Sequence, residues 1–482
     1  MVDAATRVAL DLGSDSQVMK TFLDTRPGLR TLRAGEPGTD GRCVLYWMQR
    51  TQRGRDNPAL NLAIDVANAM GKPVVAAFGL TADFPGAQRR HFRFLVDALP
   101  EIRDALAARG VTFVVRIGDP PEVILRLASE LRPALVVGDE NPLRIGRIWR
   151  TRVAEALTVP FVLVDADVVV PSDLFPKEEF AARTIRPKIH RVWEDYLRPI
   201  PNPRARYPLA EADRPSGEAI NPDHLLDSLH VGGAGEVAGY RGGSAEAARR
   251  LRTFVNHRLP RYATERNEPT PYMTSELSAH LHFGHVSPVT IALAVRESGE
   301  DPASVASNLE ELIVRRELSI NFVSRNPRYD SLEGGPAWGL KTLEKHVGDP
   351  RPVLYSAARF ERGETADPLW NAAQKEMVIT GRMHNYLRMY WAKKILEWTP
   401  DPSTAFAIAV DLNDRYEMDG RDANGYTGIS WAISGRHDRP WGERPIFGMV
   451  RFMSGASTGR KFDSAAYIAR VRSLEQGTLR LS

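Results

Sequence analysis

The chain has 482 residues, 43% hydrophobic and 26% charged, which excludes a disordered, collagenous or low-complexity polymer and leads us to expect two domains. Its 64 basic and 60 acidic residues leave a formal charge of +4, too small to establish a polyanionic partner by itself. No apolar run approaches the ~20 residues of a membrane span, the first residues lack the basic-then-apolar order of a secretory leader, and the lone Cys43 excludes an internal disulfide. A soluble protein in a reducing cytoplasm is the expectation.

Residues 1–40 form an N-terminal extension with no assigned role. Residues 41–197 then alternate short β-branched runs with helical patterns. Cys43–Trp47, Val74–Phe78, Val111–Val115, Ala134–Val137 and Phe161–Val164 are the strand candidates. They are apolar throughout, so both faces of the sheet are covered, and helices such as Asn57–Met70 and Gln88–Ala108 supply the cover. This alternation predicts a doubly wound parallel sheet, whose ligands sit at the carboxyl ends of the strands. The turns there carry Gln49, Arg50, Arg53 and Asp56, then Gly138, Asp139, Glu140 and Asn141. No G-x-G-x-x-G follows the first strand, which speaks against an ordinary dinucleotide dehydrogenase.

Residues 198–243 read as a Pro/Gly-rich linker, with Pro199, Pro201, Pro203, Pro208, Pro215 and Pro222 followed by glycines from Gly232 to Gly243. Such a stretch is expected to be neither helix nor central strand. From 244 to 482 the pattern is helical, with helices expected at 244–258, 275–283, 287–297, 304–324, 369–396, 402–411 and 463–474. The fold class is therefore an α/β domain followed by a larger all-helical one. Near its end, Arg436, Arg439, Arg444, Arg451, Arg460 and Lys461 stand against Asp438 and Glu443 and are interleaved with Trp441, Phe447 and Phe452. Cations among aromatics suit a phosphate backbone with unstacked bases, and equally a solvated face over an aromatic core.

Four segments are more specific: Thr274-Ser275-Glu276-Leu277-Ser278; Glu311-Leu312-Ile313-Val314-Arg315-Arg316-Glu317-Leu318; Trp370 with Gly381-Arg382-Met383-His384-Asn385-Tyr386-Leu387-Arg388-Met389-Tyr390-Trp391 and on to Trp398; and Leu412-Asn413-Asp414-Arg415-Tyr416 with Asp419-Gly420-Arg421-Asp422. In this order and spacing they resemble the photolyase/cryptochrome family, in particular the class II cyclobutane pyrimidine dimer photolyases, from about residue 40 to 470. The resemblance implies a Rossmann-like first domain and an FAD, active as FADH⁻, folded into the helical one. It implies cofactor contacts from Tyr262, Thr274, Ser275, Glu276, Leu277, Ser278, Asn385, Arg388, Asn413 and Asp419.

Elementary chemistry agrees with several of these. Hydroxyls and free N–H groups at a helix start hold a pyrophosphate, although the same residues make ordinary N-caps. A guanidinium fixed by a carboxylate, as in Arg388 with Asp419, offsets a buried flavin anion. The Asn413 amide can donate or accept, whereas an aspartate only accepts. Trp391 and Trp398 are seven apart, which on one helix puts them on a shared face about 10.5 Å apart along the axis. The family likeness makes Trp391, Trp370 and Trp398 an electron-transfer set, with Trp391 nearest the flavin and Trp398 further out.

At the lesion the likeness implies Glu311 as hydrogen-bonding acid. The segment departs from class I photolyases, which carry a Trp-Arg pair where Val314-Arg315 stand, so Trp431 and Trp441 are candidates for stacking, Met389 for a soft contact, and Arg266, Asn267, Arg315, Arg439 and Arg451 for the DNA. Glu311, Asn413 and Met389 make up the catalytic group. Read bare, Glu311 and Arg315 at i,i+4 form a helix-surface salt bridge. The function implied is light-dependent splitting of pyrimidine dimers in UV-damaged DNA by a cytoplasmic, nucleoid-associated monomer with no obligate protein partner. A light sensor of the cryptochrome kind, (6-4) photoproduct repair and an inactive flavoprotein stand as alternatives. An antenna chromophore such as a deazaflavin in the α/β domain is left open, since no residue pattern specifies one.

Overall fold

The computed structural model describes residues 27–270 and 272–477. Six strands form one sheet, β1 (Leu29–Arg33), β2 (Val44–Trp47), β3 (Val74–Leu80), β4 (Thr112–Ile117), β5 (Leu135–Asp139) and β6 (Phe161–Val164), in the order β1-β6-β5-β2-β3-β4. The last five in this order are parallel, and Val44 pairs with both Val74 and Leu135 at the centre. Successive residues of β2 point to opposite faces. Val44 and Tyr46 enter one buried cluster with helices Pro58–Met70 and Arg89–Ala108, while Leu45 and Trp47 enter another with helices Pro120–Leu131 and Arg144–Ala156. This is the doubly wound sheet expected, and its order reverses between β2 and β5.

Two expectations fail in this half. The stretch 1–40 was expected to be an extension, yet Leu29–Arg33 adds to β6 as an antiparallel edge, Leu29 opposite Val164. The linker was expected to lack helix, yet Pro222–Ser228 is helical. Pro222 stands at its first turn, where a missing N–H costs nothing, Asn221 caps it, and Leu225 and Leu226 are buried in the sheet's core.

The rest is helical. The expected helix 369–396 is two helices, Pro368–Thr380 and Asn385–Glu397. Gly381 breaks it at φ 67°, and a Cβ there would approach Met418 Cγ to 2.5 Å, so the chain turns before His384 caps the second helix. The expected 304–324 helix is interrupted by a π-helical turn, Glu310–Arg315. Buried Arg50 joins the two halves, with Asp167 at 2.9 Å and Asp422 at 2.9 Å, and Arg53 donates to the carbonyls of Gly284 and Ala166. No helix among the described residues is long and apolar enough to cross a membrane.

Candidate active site in the helical half

Four chain segments meet on one deep cavity. The first is the turn at 274–278. Glu276 adopts φ 58°, and its carboxylate is gathered by Arg258 at 2.8 Å, Arg250 at 3.5 Å and Arg382. The turn presents Thr274, Ser275, Leu277 and Ser278 to the cavity. The helix beginning at Ser278 has five residues and no side-chain cap; the Ser275 hydroxyl accepts from the Leu277 N–H at 3.4 Å. Glu276 lines the wall too, with its charge already held by arginines.

The π turn supplies the second wall. In a π helix neighbours lie at i+5, and Arg315 accordingly pairs with Glu310 at 3.0 Å and not with Glu311, as the i,i+4 reading had it. Glu311 is thereby released toward Arg266, at 2.7 Å. Glu311 and Arg315 line the cavity and Arg266 stands behind Glu311.

The third and fourth segments carry the charge. Asn385, Arg388, Met389 and Trp391 line the cavity from the helix after Gly381. The Arg388 guanidinium donates to Asp419 at 2.9 and 3.3 Å, to Glu417 at 2.8 Å and to the Met383 carbonyl at 3.0 Å. Burial works against its charge, but Asp419 and Glu417 outweigh burial and raise its pKa. Burial pushes the Glu417 carboxyl well above the ordinary range, with Arg388 opposing. Asn413 donates through Nδ2 to Asp414 at 2.9 Å. A Cβ on Gly425 would come within 2.9 Å of that amide, so glycine is what lets the helix Ala423–Ser434 pack against it.

Whether a flavin nucleotide suits this cavity can be judged from atoms left over by the protein. Arg382 Nε, Asn308 Oδ1, Glu417 Oε1 and His437 Nε2 are buried without a hydrogen-bond partner, and all four residues line it. Such atoms are costly unless a ligand satisfies them. Leu277, Leu281, Ile291, Met389 and Trp391 add flat apolar wall. The donors, acceptors and apolar surface fit a large aromatic, phosphate-bearing ligand.

A DNA photolyase family profile matches residues 44–204. The deoxyribodipyrimidine photo-lyase of Methanothermobacter thermautotrophicus is 43% identical over 452 residues, spanning 92% of this chain and 98% of its own. The chain belongs to the DNA photolyase family. The deoxyribodipyrimidine photo-lyase of Arabidopsis thaliana is 41% identical over 445 residues, 89% of each chain. An archaeal photolyase of Sulfolobus tokodaii, solved with two FAD molecules, shares the fold at a TM-score of 0.66 and 17% identity, covering 88% of both chains.

In this family member the tryptophans fall into two sets. Trp391 lines the cavity and donates to Gln374 at 2.8 Å. Trp370, 0% exposed, stacks on it at 6.4 Å between centroids and 8° between planes, and its indole N–H donates to the Trp391 carbonyl at 3.0 Å. Trp398 meets Trp370 edge-on at 5.9 Å and lines a cleft on the far side. Trp370 therefore lies between the other two, which a spacing of seven along one helix did not reveal; Trp398 itself is the residue that ends that helix.

Trp431 lines the same cavity, but cations separate it from its neighbour. Buried Lys393 lies 4.7 Å over its ring and Arg451 5.9 Å. Arg451 also lies 4.8 Å over Trp441, and Arg439 4.4 Å over that ring. Trp441, Arg439, Arg451 and the exposed Asn267 are not part of the cavity wall; Trp441 and the two arginines form a ladder leading outward from it.

Motif reading passed over four wall residues, Glu417, Arg382, His437 and Asp422. Arg382 and Asp422 stand inside the quoted segments and Glu417 between two of their residues, so their places were available; His437 is defined only by the fold. Asp422 receives Arg50 and His282, the latter at 3.2 Å. His282 lines a second cavity as well, at the carboxyl ends of β2 and β3, with Trp47, Gln49, Phe78, Phe84 and Trp149.

Proposed function

We propose that this protein repairs cyclobutane pyrimidine dimers in DNA with light, using FAD held by the Arg388–Asp419–Asn413 side of the cavity. The observation that carries this reading is the convergence of Arg388, Asp419, Asn413, Glu311 and Trp391 on a single cavity. Reduced FAD bound there supplies, under blue light, the transient one-electron reduction that opens the cyclobutane ring without net redox change. The chain supplies position, dryness and charge. Arg388, held by two carboxyl groups, would offset the negative charge of reduced flavin bound there. Thr274, Ser275 and Ser278 offer hydroxyls and N–H groups to the pyrophosphate.

A fused pyrimidine pair stacks and pairs poorly, so everting it costs less than everting normal bases. Glu311, fixed by Arg266 at 2.7 Å, would hold the everted bases by hydrogen bond. Trp431 and Met389 give them an apolar wall. The ladder of Arg451, Trp441 and Arg439 binds backbone and the space the pair vacates. Trp398, Trp370 and Trp391 relay electrons inward from the surface to regenerate the reduced cofactor.

The second cavity supports an additional reading, an antenna chromophore. It lies where the strand order reverses, it is walled by aromatics, and Gln49 Nε2, Gln49 Oε1 and Gln52 Oε1 are buried in it without partners. A flat conjugated molecule of the deazaflavin class suits it; a second chromophore extracted with the purified protein would support this.

The repair reading is tested by illuminating reduced holoprotein with an oligonucleotide carrying one thymine dimer. Dimer splitting in light and none in the dark is expected. A cryptochrome-like light sensor would keep the flavin photochemistry and leave the dimer intact.

A further inference from the structure

The α/β half places a surface beside the cavity that none of these assignments uses. The segment 175–181, between β6 and helix Ala182–Tyr196, is tied to the rim of the cavity at two points, and the helix at a third. His437, a wall residue, donates through Nδ1 to the Phe180 carbonyl at 2.8 Å. Glu178 pairs with Arg436 at 2.5 Å. One turn into the helix, Arg186 holds Glu310, the neighbour of Glu311, through contacts of 2.9 and 2.7 Å.

Amid these anchors the Phe180 ring is 45% exposed, with the Arg183 guanidinium 5.5 Å over it. A singly exposed apolar residue is ordinary on a surface, so what singles this ring out is the cation over it and the anchors beside it. The charges around it are sorted. Glu178 and Glu179 are neutralised by Arg436 and Lys188, whereas Lys177, Arg183 and Arg191 are exposed and form no ion pair among the described residues. One open ring with unpaired cations is too small an apolar area for a stable protein interface. It matches a nucleobase flanked by phosphates.

We infer that Phe180 and Arg183 form a second DNA contact, the ring stacking on a base of the damaged duplex beside the everted pair while Arg183, Lys177 and Arg191 take adjacent phosphates. This rests on the repair reading and extends it to the α/β half.

The test measures binding of holoprotein to a fluorescent dimer-containing duplex over a range of KCl concentrations. Phe180→Ala is expected to weaken binding about tenfold with the salt slope unchanged, as loss of one stacking contact does. Phe180→Trp is expected to keep full affinity. Arg183→Gln is expected to weaken binding and lower the slope of log K against log salt by about one. Flavin content and DNA-free photoreduction should be retained in all three. Wild-type affinity and slope in both Phe180→Ala and Arg183→Gln would overturn the inference. Failure of the wild-type protein to prefer the dimer duplex would instead overturn the repair reading on which it rests.

Discussion

Two sets of tryptophans start from the same cavity and differ in what lies between their rings. In Trp391, Trp370 and Trp398 ring meets ring, at 6.4 and 5.9 Å, and Lys394 lies 5.2 Å over the outermost ring rather than between rings. Between Trp431 and Trp441 stands a guanidinium, and a buried ammonium covers the inner ring. Adjacent indoles can exchange an electron. An indole between cations is harder to oxidise, and its surroundings are suited to phosphate and base. On the proposed function, one residue type serves redox chemistry in one direction and nucleic-acid binding in the other, and what separates the two is what stands between the rings.

The comparison can be broken at its common origin, where the effect is largest. Arg388→Met leaves the Asp419 and Glu417 carboxyl groups without their cation, a loss of about 3–5 kcal/mol for a buried pair. The variant is expected to lose FAD and melt earlier, measured by flavin absorbance and thermal unfolding; normal flavin content would remove Arg388 from the site. Next in size, Trp370→Phe breaks both ring contacts of the first set. Photoreduction of oxidised flavin should slow about a hundredfold while repair by chemically reduced enzyme persists. Photoreduction at the wild-type rate would mean that Trp391 and Trp398 communicate without it.

The second set predicts the converse. Trp441→Ala should weaken binding to a dimer duplex about tenfold, the cost of one stacking contact, and leave photoreduction unchanged; slowed photoreduction would erase the distinction between the sets. The smallest effect concerns Lys393. Burial pushes its ammonium down to about 7, with Asp438 opposing and Arg451 reinforcing. The cation over Trp431 is therefore present below about pH 7 and fades above it. Since an exposed-to-buried cation–π contact is worth roughly 0.5–2 kcal/mol, dimer affinity should fall about threefold between pH 6 and 8.5, and Lys393→Met should flatten that dependence.

Much of the sheet was legible because a strand buried on both faces is an apolar run, as β2, β3 and β6 are and β5 is up to Asp139. Strand β1 was not legible. Its sequence Leu-Arg-Thr-Leu-Arg belongs to an edge, where arginines are tolerated and no apolar run survives. The helix Pro222–Ser228 hid in a proline-rich stretch because proline breaks a helix interior but suits its first turn. Within the site, motif residues such as Arg388, Asn413 and Asp419 could be named in advance because the family spacing carries them. Their pairings could not. The π turn moved Arg315 from Glu311 to Glu310, and Trp370 reached its place between two others from a separate helix.

The central claim is that one cavity serves both the flavin and an everted dimer. The most direct measurement is single-turnover dimer splitting by reduced holoprotein in blue light, compared with the Glu311→Ala variant at saturating DNA. Splitting by the wild type, none in darkness, and a reduced yield in the variant with flavin content intact are expected. Reduced, flavin-loaded protein that binds the dimer duplex and leaves it unsplit in light would contradict the claim.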